Sequence, residues 1–120
     1  MKSIVGEKAY AFALRIINAY KYFTHEQKEF ILSKQMMRSG TAIGALTREA
    51  EHAQSRADFV NKMNIALKEA NETEYWLMLL KDSEYMDEKA FTSIYNDCNE
   101  LIRLLASIVK TTKGNKDEKK

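Results

Sequence analysis

No proline interrupts the 120 residues of this chain, and it contains only four glycines. Proline fixes φ and lacks an N–H, so it ends helices and shapes turns. A chain without it is free to run in long helices and is poorly equipped for a turn-rich β architecture. The 45% apolar content argues against disorder, since enough side chains are available to fill a core. The length suits one domain that folds without disulfide or metal staples. No stretch approaches the ~18 apolar residues of a membrane span. The segment MKSIVGEKAYAF carries charge inside what would be an apolar signal region, so no signal peptide is expected. A lone Cys98 cannot make an internal disulfide, which suits a reducing cytoplasm.

Apolar spacing predicts four helices. Val5, Ala9, Phe12, Ile16, Ala19 and Phe23 alternate steps of four and three, which marks a first helix over about 3–23. Thr24-His-Glu-Gln27 reads as a capping box that starts a second helix almost at once, over about 25–52. Its stripe is Leu32, Met36, Gly40, Ile43, Thr47 and Ala50. Ser55-Arg-Ala-Asp58 is another capping box, opening a third helix over about 56–81 with Phe59, Met63, Ala66, Ala70, Thr73, Leu77 and Leu80 inward. Asp87 is an N-cap for a fourth helix over about 88–112, carrying Phe91, Ile94, Cys98, Leu101, Leu105 and Ile108. Gly114 is a natural stop, leaving residues 115–120 as a flexible basic tail beyond a single domain over 1–114. Helices of this length with short connections specify an all-α, antiparallel, up-down-up-down four-helix bundle. A spacing near 3.5 makes its packing left-handed.

Two features exceed what such a bundle needs. Ser39, Gly40, Thr41, Ala42, Gly44 and Ala45 crowd the middle of the second helix. Each interior glycine costs about 1 kcal/mol relative to Ala. Close approach of another backbone is one compensation and a kink at Gly40–Gly44 is the other. The run Tyr75-Trp-Leu-Met-Leu-Leu80 wraps beyond one face, with Trp76 and Leu79 off the inward stripe. Tyr75, Trp76 and Leu79 are therefore candidate subunit-interface residues, since aromatics and Met are enriched where proteins meet.

Charge is sorted along the chain. Residues 1–56 are net +4, residues 57–109 net −5, and the last eleven net +3. Such polarity suits a head-to-tail contact between copies, which closes into a ring. Lys8 and Arg15, a heptad apart, and the tail residues Lys110, Lys113, Lys116, Lys119 and Lys120 are candidate nucleic-acid contacts, multiplied in an oligomer.

Evidence for catalysis is sparse. Glu49-Ala-Glu-His52 is half of the ligand set of a di-iron bundle, but His25 is the only other histidine and has no Glu three residues before it. A metal-dependent bundle enzyme is thus the weakest of the readings considered, and no metal or cofactor is expected. Cys98 lies on an apolar stripe without a neighbouring base. The residues point to a scaffold and not to an enzyme.

Two blocks carry a family resemblance. They are Arg38-Ser-Gly-Thr-Ala-Ile-Gly-Ala-Leu-Thr-Arg-Glu-Ala50 and Ile65-Ala-Leu-Lys-Glu-Ala-Asn-Glu-Thr-Glu-Tyr-Trp-Leu77, with Ala57-Asp-Phe between. The chain resembles, over about residues 3–112, the four-helix-bundle proteins named after intervening sequences of 23S ribosomal RNA. Those are similar to accessory proteins of diversity-generating retroelements. Ala42 stands where the family pattern has Ser, and Leu46-Thr47 where it has Asn-Ile. The resemblance implies a homopentameric, barrel-like ring of antiparallel bundles. It also implies that the ribosomal label records where the genes lie. In the retroelement branch it implies a basic ring associated with a reverse transcriptase and nucleic acid. Arg38, Arg48, Glu49 and Glu72 match charged positions of the pattern and are expected in ion pairs between helices or subunits.

Overall fold

The apolar stripes become the inner faces of four helices. A computed structural model describes residues 3–118, with side chains as far as Lys113. Among the described residues the chain is all-α and without strands: α1 (Ile4–His25), α2 (Leu32–Glu51), α3 (Arg56–Asp82) and α4 (Glu88–Glu118). The molecule measures 53 × 21 × 21 Å. One core runs along it, from Val5, Phe12 and Ile16 through Met36, Ile43 and Met63 to Leu77, Leu101 and Leu105. Fully burying such a side chain contributes roughly 1.5–3 kcal/mol. Leu32, Phe59, Phe91 and Ile108 pack against this core while partly open to solvent.

Side-chain oxygens open three helices. Ser3 Oγ accepts from the Gly6 N–H at 2.9 Å, Ser55 Oγ from Asp58 at 3.0 Å, and Asp87 Oδ1 from Ala90 at 2.7 Å. α3 closes through Glu84, whose φ of 69° turns the chain left-handed. The Tyr85 N–H then reaches the Leu80 carbonyl and the Glu84 N–H the Lys81 carbonyl, both at 2.9 Å, the bond pair of a Schellman stop.

The capping box predicted at Thr24–Gln27 does not form. Thr24 is buried, and its hydroxyl donates back to the Tyr20 carbonyl at 2.9 Å. It thereby extends α1 to His25, where a capping threonine would have ended the helix. Residues 26–31 form the connection, with Lys28 at φ 54°, and α2 begins seven residues later than the spacing predicts. Its cap is Glu29, which is buried and accepts from the N–H groups of Ile31, Leu32 and Ser33 at 3.1, 2.9 and 2.7 Å. Ser33 Oγ donates back to the Glu29 carbonyl at 2.7 Å. This reciprocal pair satisfies the first amides of α2 from a position five residues beyond the expected Thr24 cap. At the other end of the chain, α4 passes through Gly114 to Glu118. A glycine stops a helix where its backbone turns left-handed; elsewhere the helix continues at a cost of about 1 kcal/mol. The tail expected at 115–120 is therefore helical as far as Glu118, and residues 119 and 120 lie outside the described residues.

α2 runs uninterrupted from Leu32 to Glu51, and close packing requires a glycine at Gly40 but not at Gly44. A Cβ built at Gly40 would lie 2.8–3.1 Å from the Ile16 side chain. A Cβ built at Gly44 would lie 3.6 Å from the Ala9 carbonyl oxygen, an ordinary contact. Beside them Ser39 and Thr73, both buried, join α2 to α3 through hydroxyls 2.8 Å apart.

Two predictions follow the geometry. Gly40→Ala should lower stability by about 1–3 kcal/mol by forcing Ile16 out of place, whereas Gly44→Ala should raise it by up to about 1 kcal/mol; urea midpoints measure both. Burial pushes the Glu29 carboxyl up, but its backbone and Ser33 hydrogen bonds outweigh that, so its pKa falls below the ordinary 4.5. Its cap is then fully present above pH 4.5 and is lost as pH drops through the lower folded value. Glu29→Ala should cost about 0.5–2 kcal/mol at neutral pH, and the gap in thermal midpoint from wild type should narrow on acidification.

Candidate interaction surface

Where α2 meets α3, the outer rim carries a charged and aromatic network. Arg38 projects from α2 toward two carboxylates one turn apart on α3, pairing with Glu69 at 3.2 Å and with Glu72. Glu72 also accepts from the Trp76 indole N–H at 3.1 Å. The guanidinium thus holds the carboxylate that holds the indole. Tyr75 meets Trp76 edge-on at 5.0 Å between ring centroids. Trp76 and Leu79 are half-buried, while Tyr75 stays 55% exposed with Met78 open beside it. The α3 interface candidates are therefore one adjoining group, part of it turned to solvent.

The remaining motif charges separate. Glu49 pairs with Lys62 of α3 at 3.1 Å. Arg48 and His52 lie with Glu49 and Lys62 around a shallow depression at the α2–α3 turn. Glu49 and His52 are both exposed, and no group of three metal-ligating side chains occurs among the described residues.

The candidate nucleic-acid cations are partly committed within the chain. Lys8 pairs with Glu100 of α4 at 3.2 Å. Arg15 reaches Asp97 at 2.6 Å and the Ser93 hydroxyl at 3.0 Å. Lys110 and Lys113 are exposed; the side chains of Lys116, Lys119 and Lys120 lie outside those described. Lys8, Arg15 and Arg38 all come from the basic half of the sequence and their partners from the acidic half. Part of the charge polarity thus holds helices of one chain together. Cys98 is fully buried, its thiol directed at the Ala70 carbonyl at 3.4 Å, and burial pushes its pKa up to about 12. Such a thiol is a packing group and not a nucleophile at neutral pH.

Besides Ile4 and Tyr22, two exposed apolar pairs are not singled out by the sequence. Tyr10 and Leu14 stand on the outside of α1, 59% and 49% exposed. Their signal was available, since both fall between positions of the inward stripe. Phe30 and Ile31 stand at the α1–α2 connection, 57% and 76% exposed. They lie in the connection before α2, outside any helix whose spacing could mark an outer face. No helix among the described residues is long and apolar enough to cross a membrane.

Arg38→Ala should cost about 0.3–1 kcal/mol, the range of a surface ion pair, and the loss should shrink as salt screens the carboxylates. Chemical denaturation at low and high ionic strength, followed by Trp76 fluorescence, measures both.

No curated protein matches the chain. A crystal structure at 1.70 Å of a Bacteroides thetaiotaomicron VPI-5482 protein, described as of unknown function and from the S23 ribosomal protein family, is similar to it. The two are 61% identical, the match covers 89% of this chain and 99% of the other, and the TM-score is 0.88. The description 23S rRNA-intervening sequence protein matches residues 1–107. With its blocks around Arg38–Ala50 and Ile65–Leu77 inside that span, the chain belongs to the 23S rRNA-intervening sequence protein family.

Proposed function

We propose that the four helices form an antiparallel, left-handed, up-down-up-down bundle that assembles with copies of itself into a homopentameric ring and works as a non-enzymatic cytoplasmic scaffold. Contacts between neighbouring helices support the bundle, because one partner's number rises as the other's falls. Gly44 lies by Ala9 and Gly40 by Ile16; Glu49 pairs with Lys62 and Arg38 with Glu69; Lys81 pairs with Glu88, while Cys98 lies by Ala70. The heptad steps support the left-handed sense.

The observation that carries the assembly is Tyr75, more than half exposed on α3 with Met78 open beside it and Trp76 held by Glu72. Exposed aromatic and thioether groups at a surface are what a partner covers. The pentameric number comes from the family resemblance, as does the relation to the retroelement accessory proteins. Cys98, buried and held protonated, supports a cytoplasmic, non-catalytic role. The partner of the ring is a nucleic acid or nucleoprotein, such as a reverse transcriptase complex, touched through Lys110, Lys113 and the residues beyond. A second reading, assembly of protein alone, is favoured by the engagement of Lys8 and Arg15 with α4.

Light scattering after gel filtration should return about five times the 13.9 kDa chain mass; a monomer at micromolar concentration would overturn the ring. Fluorescence anisotropy with labelled RNA and DNA should show binding that weakens with salt. Absence of binding at low salt would decide for the protein-only assembly.

A further inference from the structure

α3 carries a second stripe. From Asn61 to Asp82 its outer face repeats the three-four spacing of the inner one, through Asn64, Lys68, Asn71, Tyr75 and Met78, and every position is exposed. A solvated helix face ordinarily carries Lys and Glu. This one carries three asparagines, which helices disfavour, and its charges are Lys68 and Asp82. A heptad-spaced face poor in charge, with Tyr75 and Met78 open, has the composition of a helix packed on a neighbour.

The opposite relief lies between α1 and α2. Tyr10 and Ala13 on one wall and Thr41, Gly44 and Ala45 on the other line a groove of about 770 Å³. The small residues keep it open and Tyr10 gives it an apolar lip. Glu7 and Glu51 lie at the end where α1 begins, with Arg48 offsetting part of their charge; Lys21 and Lys34 stand exposed toward the other end. The α3 stripe has the reverse order, with Arg56 at its start, Lys68 midway, and Asp82 followed by Glu84 at its end. The Glu49–Lys62 pair sets the start of α3 beside the end of α2, so both orders are read from the same end of the molecule.

We propose that the occupant of the α1–α2 groove is the outer α3 stripe of a second copy, laid the same way up. In that orientation Arg56 approaches Glu7 and Glu51, Lys68 lies against the middle of the groove, and Asp82 and Glu84 approach Lys21 and Lys34. Inverting one copy sets like charges together at both ends. Two different faces meeting in one orientation make a heterologous contact, which repeats from copy to copy until a ring closes. The inference rests on the ring reading above and names the faces that make it.

The test uses two full-length variants. Ala45→Arg blocks only the groove, and Tyr75→Glu with Met78→Glu blocks only the stripe; all three positions are exposed, and circular dichroism and thermal midpoints check that the fold is kept. By light scattering each variant alone should have the 13.9 kDa monomer mass. An equimolar mixture should give a dimer that grows no further, because one intact groove meets one intact stripe. Variants that keep the wild-type oligomeric mass, or a mixture that stays monomeric, would overturn this assignment while leaving the ring intact. A monomeric wild type would overturn the ring and the assignment together.

Discussion

The approach of α1 to α2 depends on a missing methyl group. Ile16 occupies the space that a Cβ on Gly40 would fill, and one turn on, the Ala9 backbone comes within ordinary contact distance of Gly44. Interiors are packed densely enough that a single added carbon must displace something. Ser39, beside Gly40, turns fully inward and meets Thr73 of α3 through hydroxyl groups. Two polar side chains thus sit in the core with partners, as burial requires. The small-residue segment of α2 faces two ways: Gly40 and Ser39 toward the core, and Thr41 and Ala45 into the outer groove.

Charge has an analogous division. Lys8, Arg15 and Arg38 bind carboxylates on α3 and α4 within the chain. Each such pair is partly solvated and contributes little to stability. Their larger effect is positional, because they commit Lys8, Arg15 and Arg38 to neighbouring helices and leave Lys21, Lys34 and Lys68 exposed on the outer faces. The proposed ring uses what remains. The proposed nucleic-acid contacts Lys110 and Lys113 stand exposed on α4.

Most of the core was legible because heptad spacing reports which side chains share a face, and long helices leave few alternatives. The stripe residues Val5 to Phe23, Met36 to Ala50, Met63 to Leu80 and Ile94 to Leu105 include nearly all of the buried apolar side chains. The Thr24–Gln27 segment misled for a physical reason. A threonine followed three residues later by glutamine can cap a new helix or extend an old one, since its hydroxyl can accept from one side or donate to the other. Which occurs depends on whether the side chain is buried, and Thr24 is. Glu29, the group that caps α2, carries no conventional Ser/Thr signature, and its role appears only when three amides turn toward it. Arg38, Glu69, Glu72 and Trp76 could be named singly, but their linkage spans two helices.

The sequence by itself determined that the chain is helical, how many helices it has and which face of each turns inward, because absent proline and three-four apolar spacing act locally along the chain. Tertiary structure alone decided where α2 begins, why Gly40 sits inside it, and which cations find partners. Those outcomes depend on distances between residues far apart in sequence: Gly40 to Ile16, Ser39 to Thr73, Arg15 to Asp97. Periodicity reports direction around a helix axis; it carries no information about how near the next axis lies.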